Sequence, residues 1–144
     1  MERSLSIFIV LCTVLAVGYL LQKNRGVFRK LNPKDSQSEF NKLLQVEELG
    51  DVGTLVQFST AFCSSCRSNK LMLNELVKKY PGMKFKELDA ESNLAAINKL
   101  NVTATPTVFL LNKTGKSVGK FSGPIKKDQA KLAVESLIQN TLES

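Results

Sequence analysis

The chain has 144 residues, of which 43% are hydrophobic and 23% are charged, a composition typical of one ordinary globular domain. It contains no histidine, so we exclude Ser–His–Asp catalysis, Cys–His catalysis and histidine-bound metals. Its three cysteines are too few for a disulfide scaffold or a four-cysteine zinc site. The net charge of +7 includes five basic residues within residues 23–34, a stretch without acidic residues. Because the rest is nearly balanced, the charge does not favour a nucleic-acid partner.

The first predicted element is an apolar helix. Residues 5–21 (LSIFIVLCTVLAVGYLL) carry no charge, and as a helix they would extend roughly 25 Å, the short end of a membrane-spanning segment. We predict that residues 1–22 form a transmembrane anchor, with a signal peptide cleaved after Gly18 as the alternative. The basic residues of the following linker, residues 23–36, favour the cytoplasmic face for the rest of the chain. The extracytoplasmic face is the alternative.

Residues 37–144 are predicted to form one α/β domain. A short helix is expected within residues 37–50. The order β-α-β-α-β-β-α that follows predicts a mixed central sheet flanked by helices, with parallel pairing across the helical connections and antiparallel strands in the last hairpin. The apolar patterns predict strands at residues 54–59, 83–88, 107–111 and 117–121 and helices at residues 65–80, 93–100 and 126–142.

The strongest chemical signal is the CSSC motif at residues 63–66, between the first of these strands and the first long helix. Cysteines three residues apart at a helix start can form a disulfide. Unpaired helix N–H groups and the helix dipole favour a thiolate on Cys63. We therefore predict that Cys63 attacks and that the more buried Cys66 resolves the mixed disulfide. Two reduced structural cysteines or a Cu(I) site remain as alternatives.

A proline supplies the second signal. Pro106 lies just before a predicted buried strand, 40 residues after Cys66. A proline in this position suits a cis peptide bond in a tight turn. An ordinary loop proline is the alternative.

Three segments together resemble the thioredoxin family over about residues 53–140: VQFSTAFCSSC, LDAESNLAAINKLNVTATPTVFLLNKTGK and FSGPIKKDQ. With the predicted anchor, the resemblance extends to membrane-anchored bacterial thioredoxin-like proteins. It implies a thioredoxin fold and thiol–disulfide exchange on protein disulfides, with an unidentified electron donor. It also implies no cofactor beyond a redox-active Cys63–Cys66 disulfide. The substrate-binding residues implied by position are Thr105, Pro106 and Gly123, and Phe62 is expected to add an apolar collar around Cys63.

The sequence also departs from the family pattern. Phe62 and the two serines replace the common Trp-Cys-Gly-Pro-Cys surroundings, so a reduction potential cannot be transferred. The family's buried aspartate falls at Gln57, which cannot act as a base, and its partner lysine falls at Glu87. Glu87 is a candidate for handling the proton, because a buried carboxylate with a raised pKa can serve as the base. A solvated strand residue is the alternative.

The sequence thus predicts a membrane-tethered thiol–disulfide oxidoreductase. Nothing in it decides whether the protein reduces or oxidises its clients. The alternative from another class is a non-catalytic thioredoxin-fold module that binds a partner protein or Cu(I).

Overall fold

The computed structural model describes residues 2–23, 26–30 and 48–142. Helix α1 spans Glu2–Lys23, and its side chains at residues 5–20 are exposed. Among the described residues, the structure contains no helix with both the length and the apolar character needed to cross a membrane. The transmembrane anchor predicted for residues 1–22 is therefore not supported. The helix predicted within residues 37–50 falls outside the described residues, except for a non-helical end at 48–50.

The other elements match the predicted order from residue 53 onward, with small shifts at their ends. The helix predicted at residues 65–80 ends at Val77, ahead of the turn at Gly82, whose φ of +88° few other residues adopt. The helix predicted at residues 93–100 is shorter and is preceded by a 3-10 turn at Glu91–Asn93. The elements are β1 (Phe28–Lys30), β2 (Gly53–Ser59), α2 (Ser64–Val77), β3 (Met83–Asp89), α3 (Leu94–Lys99), β4 (Thr107–Asn112), β5 (Ser117–Ser122) and α4 (Lys127–Leu142).

The strands form a five-stranded mixed sheet in the order β1-β5-β4-β2-β3. Strand β2 pairs in parallel with β3 and antiparallel with β4, and β4 pairs antiparallel with β5. The mixed sheet is confirmed, but the parallel pairing expected across the second helical connection is wrong. After α3, the chain joins the sheet on the other side of β2, and β4 runs antiparallel to β2 there.

Strand β1 was not predicted, because it lies inside the segment interpreted as a linker. It pairs antiparallel with β5 in the register Phe28↔Phe121. The two rings pack with their centroids 4.9 Å apart. Strand β1 is thus held at the edge of the sheet by three paired residues and one aromatic contact.

Strand β2 lies between β4 and β3, and all seven of its residues are buried. Successive side chains of a strand point to opposite faces. Leu55 faces the core formed with α2 and α4, whereas Val56 and Phe58 face the core on the α3 side. Phe58 and Phe109 meet edge to face with ring centroids 6.0 Å apart. The loop that follows β2 therefore starts from a rigid strand.

Candidate active site

Cys63 and Cys66 form a disulfide at the junction of β2 and α2, with Cα atoms 5.2 Å apart. Cys63 is the N-cap residue of α2, and its sulfur accepts a hydrogen bond from the backbone N–H of Cys66 at 3.1 Å. The Ser65 hydroxyl lies 3.6 Å from the same sulfur. Cys63 is half-buried, whereas Cys66 is only 2% exposed. A client can therefore reach Cys63, and the helix N–H groups favour negative charge on that sulfur.

The loop that precedes β4 lies beside the cysteine loop. Its Thr105–Pro106 peptide bond is cis, which agrees with the expectation from the sequence. The hydroxyl oxygens of Thr60 and Thr105 are 3.4 Å apart, and the backbone N–H of Cys63 donates to Thr60 O at 3.2 Å. These contacts bring a residue 42 positions after Cys63 next to the cysteine loop.

A third segment, after β5, completes this surface. The backbone N–H of Gly123 donates to Pro106 O at 2.7 Å, and Gly123 has a φ of +89°, in the left-handed region that favours glycine. Asn69 of α2 accepts a hydrogen bond through Oδ1 from the backbone N–H of Ile125 at 3.2 Å. The structure thus holds the Pro106 and Gly123 segments together and fastens the latter to the helix that begins at Cys63.

Phe62 lies immediately before the attacking position. Its side chain is 101% exposed, so it packs against nothing in the described part of the chain. A fully exposed aromatic ring is a group that a partner surface can bury. The expected apolar collar is thus represented by a single protruding ring beside Cys63.

Glu87 of β3 lies opposite Gln57 of β2 in the parallel register. Its Oε1 accepts hydrogen bonds from Ser59 Oγ at 2.9 Å and from Gln57 Nε2 at 3.4 Å, while Oε2 forms an ion pair with Lys70. Burial raises the pKa of Glu87, but the Lys70 and Ser59 hydrogen bonds and the Lys70 charge outweigh it and lower that pKa. The raised pKa expected for Glu87 is therefore wrong, because Lys70 and Ser59 stabilise the ionised carboxylate.

The comparisons with known proteins agree with this geometry. A family model described as Thioredoxin matches residues 32–136. The chain belongs to the thioredoxin family. It is 32% identical to a thioredoxin of Callithrix jacchus over 65% of this chain and 86% of that protein. It is also 32% identical to a thioredoxin H-type of Oryza sativa subsp. indica, over 65% of this chain and 75% of that protein.

A solved structure confirms the thioredoxin fold. The crystal structure of oxidised thioredoxin O2 from Arabidopsis thaliana superposes with a TM-score of 0.54 at 30% identity, covering 72% of this chain and 90% of that one. Family membership and the Cys63–Cys66 pair make this thioredoxin-like protein a thiol–disulfide oxidoreductase. Within its described residues there is no cluster of three or more potential metal ligands.

Two members of the site were missed by reasoning from the sequence. In this thioredoxin, Lys70 and Ser59 fix the Glu87 carboxylate, and a cleft of about 280 Å³ runs from the two cysteines to Lys70 and Glu87. Lys70 lies four residues after Cys66, which places both on one face of α2. Ser59 follows Gln57 by two positions and shares its face of β2. Both spacings are visible in the sequence, and they were the signal that could have identified these residues.

Proposed function

We propose that this thioredoxin exchanges protein disulfides, with Cys63 attacking and Cys66 resolving. The observation that carries the proposal is the difference between the sulfurs: Cys63 is accessible and caps α2, whereas Cys66 is buried. The Cys63 thiolate attacks one sulfur of a client disulfide and releases the other as a thiolate. Cys66 then loses its proton and attacks Cys63, which frees the second client sulfur. Two electrons pass to the client, and a separate dithiol must later reduce the Cys63–Cys66 disulfide.

The client is proposed to bind as an extended peptide along Thr105 and Pro106. This surface lies beside Cys63, and its backbone can pair with a strand-like segment. Gly123 has no side chain to obstruct that approach, and Phe62 offers an apolar contact on the other side of Cys63. Such an arrangement favours protein disulfides over small ones, because only a peptide reaches all of these groups.

Glu87 is proposed to pass the proton of Cys66 to solvent. The cleft beside the disulfide is lined by both residues, so water within it can connect them. The lowered pKa of Glu87 keeps its carboxylate ionised at neutral pH. Such a carboxylate holds a proton only briefly, so Glu87 is suited to relay the proton rather than to store it.

Trapping of mixed disulfides tests the two cysteine roles. In a full-length Cys12→Ala background, Cys66→Ser should accumulate a covalent complex with a disulfide-bonded protein such as insulin, whereas Cys63→Ser should not. Complexes that form only through Cys66 would reverse the roles. Absence of insulin turnover by the Cys12→Ala parent would instead favour the non-catalytic module that binds a partner or Cu(I).

For location, we propose that the apolar N-terminal segment attaches the protein to a membrane, with the thioredoxin domain on the cytoplasmic face. The support is the uncharged run of residues 5–21, the exposed apolar side chains of α1 and the basic residues that follow. The protein should stay with membranes during an alkaline carbonate wash, and Leu11→Lys should release it. In intact cells, an impermeant thiol reagent should label the reduced Cys12→Ala protein only after lysis. Labelling before lysis would place the domain on the extracytoplasmic face.

A further inference from the structure

Gln57 has a fully buried polar side chain that forms a hydrogen bond with the backbone of Cys66, the resolving cysteine. It is 0% exposed and lies on the β2 face turned toward α2. Its Nε2 donates to the backbone carbonyl oxygen of Cys66 at 3.0 Å and to Glu87 Oε1 at 3.4 Å. These two acceptors identify which end of the amide is nitrogen and fix the orientation of the group.

The other end of this amide has no partner. Oε1 of Gln57 is buried and accepts no hydrogen bond from any described residue. A buried acceptor without a donor is unfavourable, because it has lost its hydrogen bonds to water and formed none within the protein. Oε1 belongs to the same small planar group as Nε2, which contacts the backbone carbonyl oxygen of Cys66.

The oxidation state of Cys66 decides whether a donor is present there. In the disulfide, the Cys66 sulfur carries no hydrogen. In the dithiol, it carries an S–H group that is a weak donor and, at 2% exposure in the oxidised form, has little access to water. The dithiol therefore contains the donor that Gln57 Oε1 lacks in the disulfide.

We propose that Gln57 Oε1 accepts a hydrogen bond from the Cys66 thiol in the dithiol state. Gln57 is then a positioning residue that keeps the proton on Cys66 and favours the reduced protein. When a donor dithiol reduces the Cys63–Cys66 bond, two electrons enter, the donor becomes a disulfide, and Cys66 takes up the proton that it shares with Oε1. The inference deepens the proposed cysteine roles and rests on them.

The dithiol–disulfide equilibrium gives the first test. Gln57→Met has a similar size and replaces the amide oxygen with a thioether sulfur that accepts only weakly, so in a full-length Cys12→Ala background it should shift the equilibrium toward the disulfide. One weak hydrogen bond predicts about a three- to tenfold shift, where tenfold corresponds to about 30 mV in reduction potential. Ser117→Ala is the matched control, because Ser117 Oγ is also buried without a partner but belongs to β5. An unchanged equilibrium in Gln57→Met, or an equal shift in Ser117→Ala, would overturn the proposal.

The S–H stretching band gives a test that needs no activity. In a full-length Cys12→Ala/Cys63→Ser background, Cys66 is the only thiol, and its Raman band should lie at the frequency of a hydrogen-bonded thiol. Gln57→Met should raise that frequency, and Gln57→Glu, which retains an acceptor, should not. A band at the free-thiol frequency in the background chain refutes the inference even if Gln57→Met fails to fold. The Raman measurement involves no client, so it can be interpreted even if the proposed exchange reaction does not occur.

Discussion

The N-cap role of Cys63 can be separated from its redox role by comparing two substitutions in the reduced state. Cys63→Ser keeps a side-chain acceptor for the backbone N–H of Cys66, which now bonds to the sulfur at 3.1 Å. Cys63→Ala removes that acceptor and leaves the first turn of α2 without its cap. Neither variant forms the disulfide, so the two differ in the cap alone.

Loss of a side-chain N-cap costs about 1 kcal/mol. Since Cys66 is buried, its N–H has little access to water once the cap is gone. The Ala variant should therefore be about 1 kcal/mol less stable than the Ser variant. With a urea dependence of about 1.3 kcal/mol per M for a domain of this size, the midpoints should differ by about 0.8 M.

Urea unfolding followed by circular dichroism, with a thiol reductant present throughout, measures this difference. Ser64→Ala is the control, because Ser64 is exposed in the same turn but does not cap it, and it should change the midpoint little. Coincident midpoints for Cys63→Ser and Cys63→Ala would show that the N–H of Cys66 is not held by residue 63. The argument that helix N–H groups stabilise a Cys63 thiolate would then fail as well.

Three further predictions concern the groups around the disulfide. Glu87→Gln should lower stability by about 0.5 kcal/mol at pH 7. The pKa of Glu87 in the folded protein lies below its ordinary value, so the loss of stability in Glu87→Gln should be complete above the pKa of the unfolded chain and should vanish as the pH falls through the folded pKa. Thermal unfolding at pH 7 and pH 3 measures this loss. A loss that grows in acid would contradict the prediction. Phe62→Ala should leave the unfolding temperature unchanged, since the ring is fully exposed, but should raise KM for a protein disulfide several-fold and leave a small disulfide unaffected. Gly123→Ala should lower the free energy of unfolding by about 1–2 kcal/mol, because residue 123 has a φ of +89°. This loss corresponds to a decrease of about 5–8 °C in unfolding temperature. An unchanged unfolding temperature would show that the loop adopts another conformation without strain.

The parts of the fold that could be predicted from the sequence are those whose residue pattern is visible within one short segment. Strand β2 and helix α2 each have an apolar pattern of their own period, and the CSSC motif at residues 63–66 marks the junction between them. Strand β1 has only three residues, of which two are basic, and its pairing partner Phe121 lies 93 positions further along the chain. No local pattern can indicate such a strand, because its stability comes from the edge that it joins.

The environment of Glu87 could not be predicted for a related reason. Its neighbour in sequence is Lys86, which suggests a solvated strand position, whereas its ion-pair partner is Lys70, 17 positions away on α2. The sign of the pKa shift depends on this packing of helix against strand. Burial alone, which was inferred from the sequence, gives the opposite sign.

The positions of Gln57 and Glu87 together indicate how the site handles charge. The thioredoxin resemblance implies a buried carboxylate at the position of Gln57, where this chain has a neutral amide. Its carboxylate is instead at Glu87, 27% exposed and paired with Lys70 at the wall of the cleft. The Lys70 charge and the hydrogen bonds from Lys70 and Ser59 outweigh the effect of burial on the pKa of this carboxyl, so it stays ionised. In the proposed relay, the proton of Cys66 leaves toward the cleft rather than through the interior, and no buried group with a raised pKa takes part. The resolving step of this thioredoxin should accordingly show no inflection from a buried carboxyl between pH 6 and 9 in single-turnover measurements; such an inflection, retained in Glu87→Gln, would identify another proton acceptor.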